Sequence, residues 1–280
     1  MRPKTRKKKL AVSDFSRCHP GQRRNGTKSA KGSCLPDTVH ASLSKTLRTK
    51  NVYGAVGCQA GEDHCLLDKA PLPDDQKKTL RKTYLRPKKP KAWEKDPDMW
   101  LDNFNIMEVM KQYETAYPWF RFLGVFPIDF SAPDPYRKNG SVQCLYKETC
   151  DLDLRREYEK GTRGIGMVFN LDPHFKGGSH WVGLYINLEN IQKPMVGYFD
   201  SYGYKTPAMI ARLMRSFRLQ ISTCELGYNA RRFQYGGSEC GMFSMYFLIC
   251  MIHGVRFEDF CKDSIHDETM LQLRDVLFSK

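Results

Sequence analysis

Residues 232–242 read RFQYGGSECGM, or Arg232-Phe233-Gln234-Tyr235-Gly236-Gly237-Ser238-Glu239-Cys240-Gly241-Met242. A polar, glycine-rich loop ends in a thiol, and the chain then runs into FSMYFLICMI at 243–252 without a single charge. The whole segment CGMFSMYFLICMIHG, 240–254, is apolar all round, and such a helix belongs inside a core. Gly254 supplies a C-terminal stop. The pattern predicts a central buried helix that begins at Cys240. A thiol attacks a carbonyl only as thiolate, and a helix N-terminus offers partial positive charge through its unpaired N–H groups. Cys240 is therefore the candidate nucleophile, whereas Cys250, in mid-helix, reads as core. Gly236, Gly237 and Gly241 leave room for a substrate backbone to approach.

A cysteine nucleophile needs a base, and the base needs an orienting acid or amide. Of seven histidines, His180 stands out. It sits in GGSHWVGLYINL, after a Gly-Gly-Ser turn and at the lip of a predicted strand, with Trp181 next to it. The following strand ends in GYFDSYG and sets Asp200 at its terminus. If the two strands are neighbours, His180 and Asp200 meet at one edge of the sheet. Taken singly, a surface histidine and an ordinary Asp-Ser turn are adequate explanations; with Cys240 and Gln234 the coincidences would have to multiply. Gln234 is the candidate oxyanion donor, because a side-chain amide beside the nucleophile's own N–H is suited to a developing negative charge.

Outward from these motifs the chain alternates helix and strand. GIGMVFNL (164–171), WVGLYINL (181–188) and MVGYF (195–199) read as buried strands. Asn105 with Glu108 resembles a capping box that opens a helix through FNIMEVMKQYETAY, and Thr206-Pro207 begins another in TPAMIARLMRSFRL. A last helix is expected after Asp267. The expected fold class is α+β, a mixed α/β body with its core helix packed on a mixed sheet.

The net charge of +14 is not evenly spread. Residues 1–50 carry 14 Lys and Arg against 2 Asp, and residues 101–280 hold 21 of each sign. The first fifty residues have few large apolar side chains, so disorder is expected there. The run RPKTRKKK is equally a nuclear-localisation or nucleic-acid-contacting arm and a solubilising tail. Residues 51–95 form an arm and linker; RPKKPKAWEKDPD, 86–98, with its prolines and charges, reads as exposed. The remaining 96–280 is the expected catalytic core. No run approaches the roughly 18–20 apolar residues that span a bilayer, and no apolar stretch follows the basic start as in a secretory signal. Ten cysteines show no tight secretory framework, so reduced thiols in an intracellular protein are expected. Cys58, His64 and Cys65 lack the spacing of common zinc sites, so no metal is assigned.

In order and spacing, HW at 180–181, YFDS at 198–201 and Q-x5-CG at 234–241 resemble the SUMO-protease and adenovirus-protease clan of cysteine peptidases. WLDNFNI at 100–106 resembles the opening motif of the SUMO proteases with two positions exchanged. GCQAGEDHC, DNFNI, SHWVGLY, YFDS and SECG are similar to the polyprotein-processing proteases of African swine fever virus and related large DNA viruses; the swine fever enzyme has asparagine at the position of Asp200, and the SUMO proteases have aspartate. The resemblance runs from about residue 51 to the end. It implies a papain-like, SUMO-protease-type core plus a small N-terminal arm domain. It also implies Cys240 as nucleophile, His180 as base, Asp200 as orienting residue and Gln234 as oxyanion donor, with Trp181, Gly236 and Gly237 at the substrate. The implied activity is a viral thiol endopeptidase that cleaves structural precursors after Gly-Gly or Gly-x sites during virion maturation. No metal or organic cofactor is required for that chemistry. The implied partners are protein substrates, with no membrane; the basic tail of residues 1–50 has no counterpart in the resemblance, and its charge alone makes it a candidate for non-specific DNA contact. The implied locations are the virion and the host cytoplasm at the viral factory, with the basic tail as a candidate nuclear signal. Two alternatives stand beside it: a SUMO or ubiquitin-like isopeptidase, and a DNA-binding virion protein with a degenerate protease fold.

Overall fold

Every residue from Cys240 to Ile252 is buried, and one part of the chain is built around that helix. The computed structural model describes residues 8–22, 28–134 and 144–279. They divide into two units, Met1–Leu10 with Trp100–Met270, and Ala11–Met99 with Leu271–Lys280.

The smaller unit contains helices α1 (Asp37–Thr46), α2 (Asp63–Lys69) and α3 (Asp74–Tyr84). Leu35, Leu43, Val52, Leu66, Leu67, Leu80 and Leu85 form its apolar core. Two cysteine pairs, Cys18–Cys34 and Cys58–Cys65, cross-link it. Asp63 is buried and accepts hydrogen bonds from Ser33 Oγ at 2.6 Å, Cys34 N at 2.7 Å and Tyr53 Oη at 2.5 Å.

Three expectations fail here. Residues 28–50 are not a disordered tail, because Leu35 and Leu43 are fully buried and a cross-link ties Cys34 back to Cys18. Residues 86–98 are not a simple exposed linker: Arg86 is buried and donates to Ser16 O, and Trp93 packs edge-on against Phe278. The unit that includes residues 51–95 also recruits the last ten residues, so the core does not run unbroken from 96 to 280. Composition hid this unit because a few well-placed leucines and two cross-links offset ordering entropy that a polar segment could not otherwise meet. Reduced thiols were also expected. Six of the ten cysteines are paired, Cys144–Cys150 in the larger unit included, and Cys224, Cys240, Cys250 and Cys261 are free. Residues 1–7 of the basic run lie outside the described residues.

The larger unit is a five-stranded sheet in sequence order: β1 (Phe120–Pro127), β2 (Gly164–Asn170), β3 (Trp181–Asn187), β4 (Met195–Phe199) and β5 (Glu225–Tyr228). The three central strands are antiparallel, and β1 and β5 join the two edges in parallel. The mixed α/β expectation therefore holds. Strands β1 and β5 were not foreseen. FRFLGVFP alternates buried and half-buried positions along an edge, and ELGY is only four residues long.

Three helices complete the frame: α4 (Asn103–Ala116), α5 (Ala208–Gln220) and α6 (Cys240–Ile252). The capping box of α4 lies three residues earlier than expected, with Asp102 and Asn105 exchanging side-chain-to-backbone bonds. At the other end of α6, Gly254 adopts a φ of 80°. Its N–H donates to Met251 O and that of Val255 to Cys250 O, the bond pair that ends a helix at a left-handed residue. Helix α6 lies close against the sheet because Gly183 has no side chain; a Cβ there would meet the Phe247 ring at 2.9 Å.

Candidate active site

The loop before α6 and the C-terminal end of β4 converge with the N-terminal end of β3. Because β3 and β4 are antiparallel neighbours with Gly183 opposite Phe199, His180 just before one and Asp200 just after the other fall at the same edge. His180 Nε2 lies 2.8 Å from Asp200 Oδ1. Cys240 also bears on the imidazole, through a hydrogen bond and its charge. The side chains are buried: His180 is 8% exposed, Cys240 2% and Asp200 not at all.

Burial alone would push His180 below its ordinary 6.5. The hydrogen bond to Asp200, the hydrogen bond to Cys240 and the charges of both outweigh it, and hold the imidazole up at about 9. An imidazolium at neutral pH is the partner that a thiolate requires. Cys240 is the first residue of α6, whose opening N–H groups have no intrahelical acceptor. Its own N–H is thus available to an oxyanion.

Asp200 is itself fixed. Its backbone N–H donates to Asn229 Oδ1 at 2.8 Å, and Asn229 Nδ2 returns a bond to Asp200 O at 2.7 Å. Asn229 therefore extends the β4 pairing by one amide after β5 ends. The Tyr202 N–H donates to Asp200 Oδ1, the same oxygen that faces the imidazole. The Tyr202 ring stacks on His180 with centroids 4.8 Å apart, and its hydroxyl donates to Gly236 O. Gln234 is fully buried; its Nε2 donates to that same Gly236 oxygen, and Ser201 Oγ donates to its Oε1.

The sequence-derived residues are thus drawn into one network: Asp200 to His180, His180 to Cys240 and Tyr202, and Tyr202 through Gly236 to Gln234. Gly236 and Gly237 are exposed beside it, and a Cβ at Gly237 would meet nothing within 4 Å. Trp181 is different. Its indole is 7% exposed, donates to Leu101 O and packs over Gly241. In this arrangement it braces the start of α6.

Ser201, Tyr202, Asn229 and Asp267 were not singled out from sequence. Ser201 and Tyr202 follow Asp200 directly, so the YFDS motif and the residue after it held the signal. Asp267 had none: it begins helix α7 (Asp267–Leu277), and its Oδ2 accepts from the N–H groups of Tyr235 and Gly236. Two N–H bonds to one carboxylate oxygen hold the glycine loop from outside the motif.

Residues 165–279 match the Ulp1 protease family, C-terminal catalytic domain. By sequence, this stretch is similar to the catalytic domain of Ulp1-type cysteine peptidases. Over 185 residues the chain is 30% identical to a protein of Acanthamoeba polyphaga mimivirus named as a thiol protease; the match covers 64% of this chain and 56% of that one. It is 24% identical over 184 residues to a cysteine protease of African swine fever virus, covering 64% and 67% of the two chains. The chain thus spans little more than half of the mimivirus protein. A crystal structure of an African swine fever virus protease superposes with a TM-score of 0.73, at 20% identity, over 96% of this chain and 99% of that chain. That likeness shows the fold, and it extends beyond the stretch that matches the Ulp1 family into the smaller unit.

Proposed function

We propose that this chain is a viral cysteine endopeptidase that cleaves structural precursor proteins after Gly-Gly or Gly-x sequences during particle maturation. The observation that carries the reading is the placement of His180 between Asp200 and Cys240, with the imidazole held up at about 9. The Cys240 thiolate adds to the scissile carbonyl carbon. The resulting oxyanion is met by the Cys240 N–H and the second Nε2 hydrogen of Gln234. The C–N bond breaks as the His180 imidazolium gives its proton to the leaving amine. Water, deprotonated by the neutral imidazole, then releases the acyl group and restores the thiol. Exposed Gly237, where a Cβ would meet nothing within 4 Å, offers an extended substrate backbone an open approach, whereas the Glu239 and Asp267 carboxylates stand beside Gly236.

The test is turnover of two substrates by purified protein: a short fluorogenic peptide with glycines before the scissile bond, and the same reporter on the C-terminus of a folded ubiquitin-like protein. Preference for the peptide supports the proposal. A kcat/KM at least a hundredfold higher on the folded modifier would assign the chain to the isopeptidases instead. Duplex DNA contact through the basic N-terminal residues belongs to the same proposal, as a means to retain the enzyme in the particle, and filter binding across a salt series tests it.

A further inference from the structure

The end of β4 presents two consecutive side chains to two different parts of the site. Asp200 faces the base. Ser201, 1% exposed, faces Gln234. Its Oγ donates to Gln234 Oε1 at 2.6 Å, and its backbone oxygen accepts from the N–H groups of both Phe233 and Gln234, at 2.7 and 2.9 Å. Gln234 Nε2 donates to Gly236 O at 3.0 Å.

A carboxamide can sit either way round, and only one way presents N–H groups to an oxyanion. Flipping Gln234 would turn its carbonyl oxygen toward the Gly236 carbonyl oxygen, two acceptors face to face, and would leave the Ser201 hydroxyl opposite an NH2 group. Gln234 is wholly buried, so no water can compensate. We propose that Ser201 is the positioning residue for the oxyanion donor: its hydroxyl satisfies Gln234 Oε1 and so fixes which way round the amide sits, with Nε2 on the side of Gly236 O, while its carbonyl pins the backbone that carries Gln234. The inference rests on the reading of Gln234 as that donor. It gives the Asp200-Ser201 pair a double task, to orient the base and the donor from adjacent residues of one strand end.

The experiment is a double-mutant cycle on the full chain, with kcat and KM measured on the glycine-containing peptide. Ser201→Ala should lower kcat about tenfold with KM little changed, since a buried acceptor is left unpaired and one of the two bonds that orient the amide is lost. Ser201→Thr, which keeps a hydroxyl, should restore most of that loss. In a Gln234→Ala background, Ser201→Ala should cost nothing further, because the group it positions is gone. Additive losses would mean a general structural role and overturn the proposal. If the alanine variant fails to fold, Ser201→Cys keeps the volume with a weaker donor: a kcat between those of serine and Gln234→Ala supports the assignment, and wild-type kcat refutes it. A Gln234→Ala enzyme at the wild-type rate would remove the oxyanion reading and this inference together. A slow Gln234→Ala enzyme beside an unaffected Ser201→Ala enzyme would remove this inference alone.

Discussion

Asp200 Oδ1 lies 2.8 Å from His180 Nε2, and the same oxygen accepts the Tyr202 N–H at 2.8 Å. One carboxylate oxygen therefore fixes the imidazole tautomer and the ring that stacks on it. In Asp200→Asn that oxygen loses its charge, and the effect reads out in pH. With His180 held up at about 9, the active imidazolium form is lost as pH rises through about 9. Asparagine keeps a hydrogen bond without the charge. The alkaline limb of kcat/KM should then move down toward the ordinary 6.5, with substantial activity retained at pH 6. An alkaline limb that stays at 9 would separate Asp200 from the titration.

The same pair links to stability. A histidine whose folded value is raised contributes stability that is full below the unfolded value near 6.5 and is lost as pH rises through 9. Urea midpoints should fall between pH 6.5 and 9 in the wild type and less so in His180→Ala. Equal slopes in the two proteins would contradict the shift.

Cys240→Ala should abolish peptide cleavage and leave the far-ultraviolet spectrum and urea midpoint near wild type, since alanine is a good helix residue at a buried N-terminal position. Cys224 and Cys261 cannot substitute for it, because burial pushes their thiols up to about 11 and about 12. Residual turnover in Cys240→Ala would point to another nucleophile.

Two glycines should behave oppositely. Gly183→Ala puts a Cβ 2.9 Å from the Phe247 ring and should cost about 1–3 kcal/mol by overpacking, read as a lower urea midpoint at constant slope. Gly237→Ala meets no atom and should change stability by less than about 0.5 kcal/mol, while raising KM if substrate passes there.

The N-terminus divides at residue 7. Lys9 donates to Asp263 O, lies 4.5 Å from the Phe233 ring and 4.7 Å from that of Phe260, and is lowered to about 8 by burial. Tyr246 Oη donates to Leu10 O. Deleting residues 1–7 removes Arg2, Lys4, Arg6 and Lys7; it should weaken DNA binding and flatten its salt dependence by about 0.9 for each phosphate no longer neutralised, with peptide cleavage unchanged. Deleting residues 1–10 should also slow cleavage, since Phe233 adjoins Gln234. Equal peptide rates for the two truncations would sever Lys9 from the site.

The site was legible where its residues stand in sequence order at strand and helix ends: His180, Asp200, Gln234 and Cys240 needed only the assumption that two strands are neighbours. Ser201 was overlooked because serine after aspartate is the commonest of turns, and only the approach of Gln234, 33 residues away, gives its hydroxyl a task. Asp267 and Asn229 are long-range partners with no local signature. Edge strands β1 and β5 escaped because a half-exposed alternation and a four-residue run lack the continuous apolar signal of β2 and β3. The first fifty residues misled because composition reports average hydrophobicity, whereas burial depends on where each leucine falls.

The smaller unit joins residues 11–99 to residues 271–280. Arg274 Nη1 donates to Pro97 O, Phe278 meets Trp93, and the Ser279 N–H donates to Pro87 O. Domains near an N-terminus ordinarily fold while the ribosome is still at work. Here residues 271–280, which close the early-made unit, are synthesised only after the larger unit, so the packing of the smaller unit is completed late. A nascent chain stalled at residue 270 should leave Trp93 open to solvent, and a chain that includes residues 271–280 should bury it.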